Sequence, residues 1–144
     1  MFRGFLAGVA GGILMNLYGL AAWLIGFSEA PFWKWAAIII LGSPDITGFD
    51  HAIGLFAHII FTGALGIIFA YLVPAVKSRM ILFKGWLYGV AMWFVIYTIS
   101  HLFRVQGTFP IELKTAASNV VGASIFGLVV AWSLTWLENR KKIS

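Results

Sequence analysis

Residues 50–74, DHAIGLFAHIIFTGALGIIFAYLVP, are apolar enough to cross a bilayer, yet one stripe of them is small and polar. Taking every fourth residue gives Asp50, Gly54, His58, Thr62, Gly66 and Ala70. Residues four apart stack on one face of an α-helix, and His51, seven before His58, shares that face. A helix that touches only lipid has no use for such a stripe. A helix that packs on other helices does. Lipid tails are as apolar as leucine, so helices in a membrane associate through close backbone approach at small residues and through interhelical hydrogen bonds. The stretch therefore calls for partner helices around it and for hydrocarbon as its solvent.

Composition agrees. Of 144 residues, 61% are hydrophobic and 10% charged, whereas a soluble domain carries roughly a quarter charged residues. Apolar runs at about 3–27, 50–73, 83–103 and 111–137 fill the length, each long enough to cross hydrocarbon about 30 Å thick. They predict a single membrane domain over 1–144, all-α, an integral membrane four-helix bundle. The first run reads as a retained span, being too long for the apolar core of a signal peptide and lacking a small-x-small cleavage site. With no cysteine, disulfides, thiolate metal sites and cysteine nucleophiles are excluded.

The other runs repeat the four-residue pattern. The first carries Gly4, Gly8 and Gly12, with Asn16 and Gly19 near that face; the third carries Gly85, Gly89, Trp93, Tyr97 and His101; the fourth carries Thr115, Asn119, Ala123, Gly127 and Ala131. The expected packing residues are Gly4, Gly8, Gly12, Gly54, Gly66, Gly85, Gly89 and Gly127. The expected buried polar residues are Asn16, His58, Thr62, Tyr97 and Asn119, each of which needs a partner once removed from water. The second and third runs are consecutive and joined by a short basic loop. They are expected to be neighbours, with Tyr97, Asn119 or Thr62 as the partner of His58.

Between the first two runs, Pro31 suits a first helical turn and FWKWAAIIILG follows. Too short to span, this stretch predicts an interfacial helix over about 31–42 in the outer leaflet. Trp33 and Trp35 around Lys34 would anchor it at the interface, its isoleucines would face inward, and Gly42-Ser43-Pro44-Asp45 would end it. Thr47 and Asp50 have capping-box spacing at the start of the second span.

Charge sets the expected orientation. Arg3, Lys77, Arg79, Lys84, Arg140, Lys141 and Lys142 share one side with Glu138 alone, while Lys34, Arg104 and Lys114 share the other with Glu29, Asp45, Asp50 and Glu112. Basic residues stay cytoplasmic, which predicts a multi-pass protein of the bacterial cytoplasmic membrane with both termini inside. No basic domain supports a nucleic-acid partner; the partners expected are the lipid bilayer and a second copy or other membrane subunits.

The run GFLAGVAGG near the N-terminus, a Phe-x-Glu exit at Phe27-Ser28-Glu29 and GWLYGVAMW at 85–93 resemble the YqhR-like family of small conserved bacterial membrane proteins. The resemblance covers most of the chain in span order. It implies four spans and carries no activity, cofactor or catalytic residue.

The histidines are the candidates for chemistry. His51, His58 and His101 fall toward one side of the membrane, with His58 roughly 10 Å deeper than His51 at 1.5 Å per residue. Imidazole suits zinc, iron, copper or nickel, and histidines on two helices can hold a haem. His58 and His101, with His51, are thus the metal or haem candidates, against the simpler reading of hydrogen-bonded histidines in a bundle interior with no cofactor. A quinone or lipid-headgroup pocket near Trp93 and Tyr97 is a lesser alternative. Catalysis has little to stand on. No carboxylate lies inside a span, and Ser100 beside His101 cannot face it on a helix. The expected role is a non-enzymatic structural or interaction subunit. The alternatives are a small metal- or haem-binding protein using His58 and His101, and an oligomeric pore or carrier.

Cysteines placed at Ser78 and Gly107 should label from opposite sides of the membrane. Labelling of both from one side contradicts four spans with both termini inside.

Overall fold

The computed structural model describes residues 1–76 and 80–141; Lys77, Ser78, Arg79 and Lys142, which enter the charge and labelling arguments, lie outside the described residues. Among the described residues five α-helices follow in order: α1 Phe2–Leu24, α2 Phe32–Leu41, α3 Gly48–Leu72, α4 Ile81–Leu102 and α5 Leu113–Lys141. A 3-10 turn, Val73–Ala75, continues α3 where Pro74 interrupts the helical ladder. Among the described residues there is no strand, and α1, α3, α4 and α5 are long and apolar enough to cross a membrane. The chain is an all-α four-helix bundle with a fifth, short helix.

Local chemistry sets the helix ends. Asp50 accepts hydrogen bonds from the backbone N–H and the hydroxyl of Thr47, at 2.8 and 2.7 Å, which secures the start of α3 as its spacing predicts. α2 stops at Gly42, whose φ of +66° is left-handed and whose N–H donates to the Ile38 carbonyl at 2.8 Å. A residue with a Cβ is strained in that conformation.

The small faces determine which helices meet. α1 lies along α3 on one side and α5 on the other, and α5 lies along α4. A Cβ on Gly8 would land on the Thr62 carbonyl oxygen and come within 2.9 Å of the Gly63 and Gly66 Cα atoms. One on Gly4 would come within 2.8 Å of the Gly66 carbonyl oxygen, and one on Gly12 would overlap the Thr62 side chain. α4 and α5 repeat the arrangement: a Cβ on Gly89 would fall on the Ala123 carbonyl, and Gly85 and Gly127 face each other across the interface. Gly11, one residue off the main α1 ridge, admits Phe126 and Val130 of α5 to within 2.9 and 2.8 Å of where its Cβ would be. α1 therefore has two small faces and sits in the middle.

This corrects the expectation that the second and third spans pack as neighbours. The α3 ridge is used up by α1 and α2, and the α4 ridge by α5, so α3 and α4 are not among the closely packed helix pairs. Side chains bridge them instead. The Tyr88 hydroxyl donates to the Leu65 carbonyl at 2.8 Å, and the Tyr88 ring lies 5.2 Å from that of Phe69. Backbone order in space is α3–α1–α5–α4, an arc with a seam between its ends.

The short helix α2 forms where expected, but the tryptophans expected to anchor it in lipid face protein instead. Phe32, Trp33, Trp35, Ala37 and Ile38 are buried, Trp35 and Ile38 to 2% exposure, while Ile39 and Ile40 face outward. The cause is Gly54 on α3. A Cβ there would fall on the Trp33 carbonyl and 2.7 Å from the Ala37 Cβ, so its absence lets α2 sink between the long helices. α2 is a plug at the end of the bundle where α1 and α4 finish and α3 and α5 begin.

Replacing Gly8 or Gly89 by Leu should separate the paired backbones and cost about 3 kcal/mol, the upper end of the overpacking range, or more. Gly122→Ala should be neutral or slightly stabilising, because its Cβ would meet nothing closer than Tyr18 at 3.5 Å. Reversible unfolding in mixed detergent micelles measures both. Equal stability of all three variants would mean the small faces do not set the packing.

Candidate functional site

Register brings the polar residues together beneath the plug. Gly12 meets Thr62 where α1 and α3 cross closely. One turn further along each antiparallel helix stand Asn16 and His58, which hydrogen-bond through His58 Nδ1 at 3.0 Å. The Asn16 amide also donates to the Gly12 carbonyl at 2.7 Å. His58 is 5% exposed, and Phe32 of α2 stacks on its ring at 5.7 Å with the planes 4° apart. Asn16 is thus the partner of His58, not Tyr97, Asn119 or Thr62 as expected. Thr62 turns its hydroxyl to the Ile59 carbonyl, at 2.8 Å.

Tyr97 and Asn119 form a second polar group on the α4–α5 side. Asn119 lies 2.9 Å from the Tyr97 hydroxyl and donates to the Ala30 carbonyl at 3.1 Å. Tyr97 stacks on Trp35 at 4.7 Å. Thr115 accepts the Glu29 N–H at 3.1 Å. One asparagine thereby ties α4, α5 and the α1–α2 connection together.

The three histidines occupy separate settings. His51 accepts a hydrogen bond at Nδ1 from Trp33 Nε1, at 3.3 Å, so the neutral ring carries its proton on Nε2. His101 is exposed, with its ring edge-to-face on Phe109 at 4.8 Å. Among the described residues, no three His, Asp or Glu side chains gather as a metal site. The acidic residues stay at the rim: Glu112 and Glu29 pair with Lys114 at 3.0 and 3.5 Å, and Asp50 caps α3. What lies inside is a hydrogen-bonding set, not an acid–base pair.

Cavities adjoin this set. One of about 500 Å³ lies between α1 and α3 under Trp33, with Asn16, Trp23 and His51 in its wall. A second, of about 240 Å³, lies between α2, α3 and α4 and is lined by Phe32, Trp35, Ala36, Ala57, His58, Phe61 and Ile96 among others. A third, of about 20 Å³, borders His58, Thr62 and Trp93. Trp35 Nε1 and Ser28 Oγ are buried without a hydrogen-bond partner among the described residues. Leaving such a group unpaired costs about 1–3 kcal/mol. Sequence reasoning missed Trp35 as an interior residue, because a Trp-Lys-Trp run on a short apolar helix is also what a lipid interface selects. The signal that could have found it was Gly54, a small residue facing a helix with no other way in.

Compared with protein-family models, with curated proteins and with solved structures, the chain matches none of them.

Asn16→Leu and His58→Leu should each destabilise the bundle by about 1–3 kcal/mol, since each leaves a buried polar partner unpaired. The double variant should cost less than the sum of the two. Strict additivity in a double-mutant cycle by detergent unfolding would show that the two side chains do not pair.

Proposed function

We propose that the protein is a non-enzymatic interaction subunit of a bacterial cytoplasmic membrane, with both termini in the cytoplasm, that associates with itself or within a larger membrane complex. The observation that carries this reading is the seam between α3 and α4. Of the four long helices α4 is the least enclosed: 17% of its most apolar window is buried, against 39–44% in the other three. On the half of the seam near the termini, a cleft of about 230 Å³ is lined by Phe69, Leu72, Val73, Leu87, Tyr88 and Ala91. A transmembrane helix seated there would complete the ring that the arc leaves open. Packing against such a groove, and not a hydrophobic drive, is what holds helices together in lipid.

Charge supports the orientation. Arg3, Lys84 and Arg140 lie at the end of the bundle with the termini. Lys84 Nζ donates to the Val73 and Val76 carbonyls at 3.2 and 2.5 Å, and the Arg140 guanidinium lies 3.9 Å over the Trp136 ring. Such side chains hold their charge at the headgroup level while the stem stays in hydrocarbon.

A photoreactive amino acid at Ala91, tested in native membranes, should give one discrete protein adduct. The same probe at Trp132, exposed on α5, should give lipid adducts only. Lipid adducts alone from both positions would contradict an interaction role for the seam.

A further inference from the structure

We propose that the cleft between α2, α3 and α4 binds the ring of an isoprenoid quinone, a function separate from partner docking on the half of the seam near the termini. The cleft holds about 240 Å³. Its mouth is apolar and exposed, formed by Ile39, Ile40 and Phe61, and its floor is buried, formed by Phe32, Trp35 and His58. The isoprenoid tail would leave past the mouth into lipid.

The floor carries unused polarity. Trp35 is 2% exposed and its Nε1 has no hydrogen-bond partner among the described residues. His58 is 5% exposed and bonds Asn16 through Nδ1, and no partner among the described residues reaches its Nε2. An indole N–H can only donate, and the Trp35 ring, whose N–H is unpaired among the described residues, lines the cleft. His58 lines the same cleft, and its Nε2 can donate to an acceptor or accept from a hydroxyl, according to tautomer. A quinone carbonyl suits the first arrangement and the hydroxyl of its reduced form the second. The parallel Phe32 and His58 rings add flat aromatic surface of the kind a planar ring packs on.

Depth decides between two sources of a carbonyl oxygen. His58 stands eight residues beyond Asp50, about 12 Å along the helix axis. Phospholipid ester carbonyls lie in the interfacial layer outside the hydrocarbon core, and the chains below them offer no acceptor. A quinone carries its oxygens on an apolar ring into the hydrocarbon itself.

The test uses the full chain in phospholipid nanodiscs with decylubiquinone as probe, the retained quinone and phospholipid being extracted and counted after removal of free ligand. Saturable retention of about one quinone per chain above empty discs is expected. Trp35→Phe, which keeps the ring facing Tyr97 and removes the donor, should weaken binding about tenfold, or about 1.4 kcal/mol. Ala36→Phe, which fills the cleft, should abolish it, and Ala52→Phe in the α1–α3 cavity should leave it unchanged. Should Trp35→Phe fail to fold, Ala36→Phe decides. Retention equal to that of empty discs overturns the proposal. So does retention indifferent to Ala36→Phe, or recovery of an excess phospholipid in place of quinone.

Discussion

Contact between bare backbones organises this protein. In hydrocarbon, burying a leucine against another helix gains little over leaving it against lipid, so the pairs that form are those whose backbones can come closest. Gly4, Gly8 and Gly12 on α1 meet the Thr62-to-Ala70 face of α3, and Gly85 and Gly89 on α4 meet Ala123 and Gly127 on α5. Asn16 reaches His58 because Gly12 has already been pressed against Thr62 one turn earlier. The polar core is a consequence of the glycine register, and side-chain hydrogen bonds then fix that register against slippage.

The same constraint leaves an opening. A helix with one small face makes one close contact. α1, with Gly11 beside its main ridge, makes two and takes the centre. α4 has a single small face and spends it on α5. α3 divides its ridge, giving the Thr62 to Ala70 part to α1 and Gly54 to α2. Nothing small remains to draw α3 and α4 together, so Tyr88 and aromatic side chains span the distance and cavities line the seam. α2 fills one end of that seam and supplies Trp35 and Phe32 to the floor of the outer cleft.

Much of this was legible in the chain. The four-residue spacing of glycines and small residues named the faces that pack, and Asn16, His58, Thr62 and Asn119 are buried polar residues in the structure. Which face meets which was not legible, because Gly-xxx-Gly ridges are interchangeable and adjacency in sequence does not bring two helices into close contact when neither keeps a small face for the other. Burial of α2 escaped notice for a related reason. A short apolar helix with tryptophans satisfies either a lipid interface or a protein groove, and only Gly54, on another helix, distinguishes them. The histidines read as a possible constellation because they share a side of the membrane. Depth and facing separate them, and one-dimensional spacing records neither across different helices.

The order of helices can be tested by magic-angle-spinning NMR of the protein in lipid, labelled only at glycine Cα. Cross-peaks are expected for Gly8 with Gly63 and Gly66 and for Gly85 with Gly127. Cross-peaks from Gly85 or Gly89 to Gly63 or Gly66 would mean that α4 packs on α3, and would contradict the arc from which the polar core, the seam and the cleft all follow.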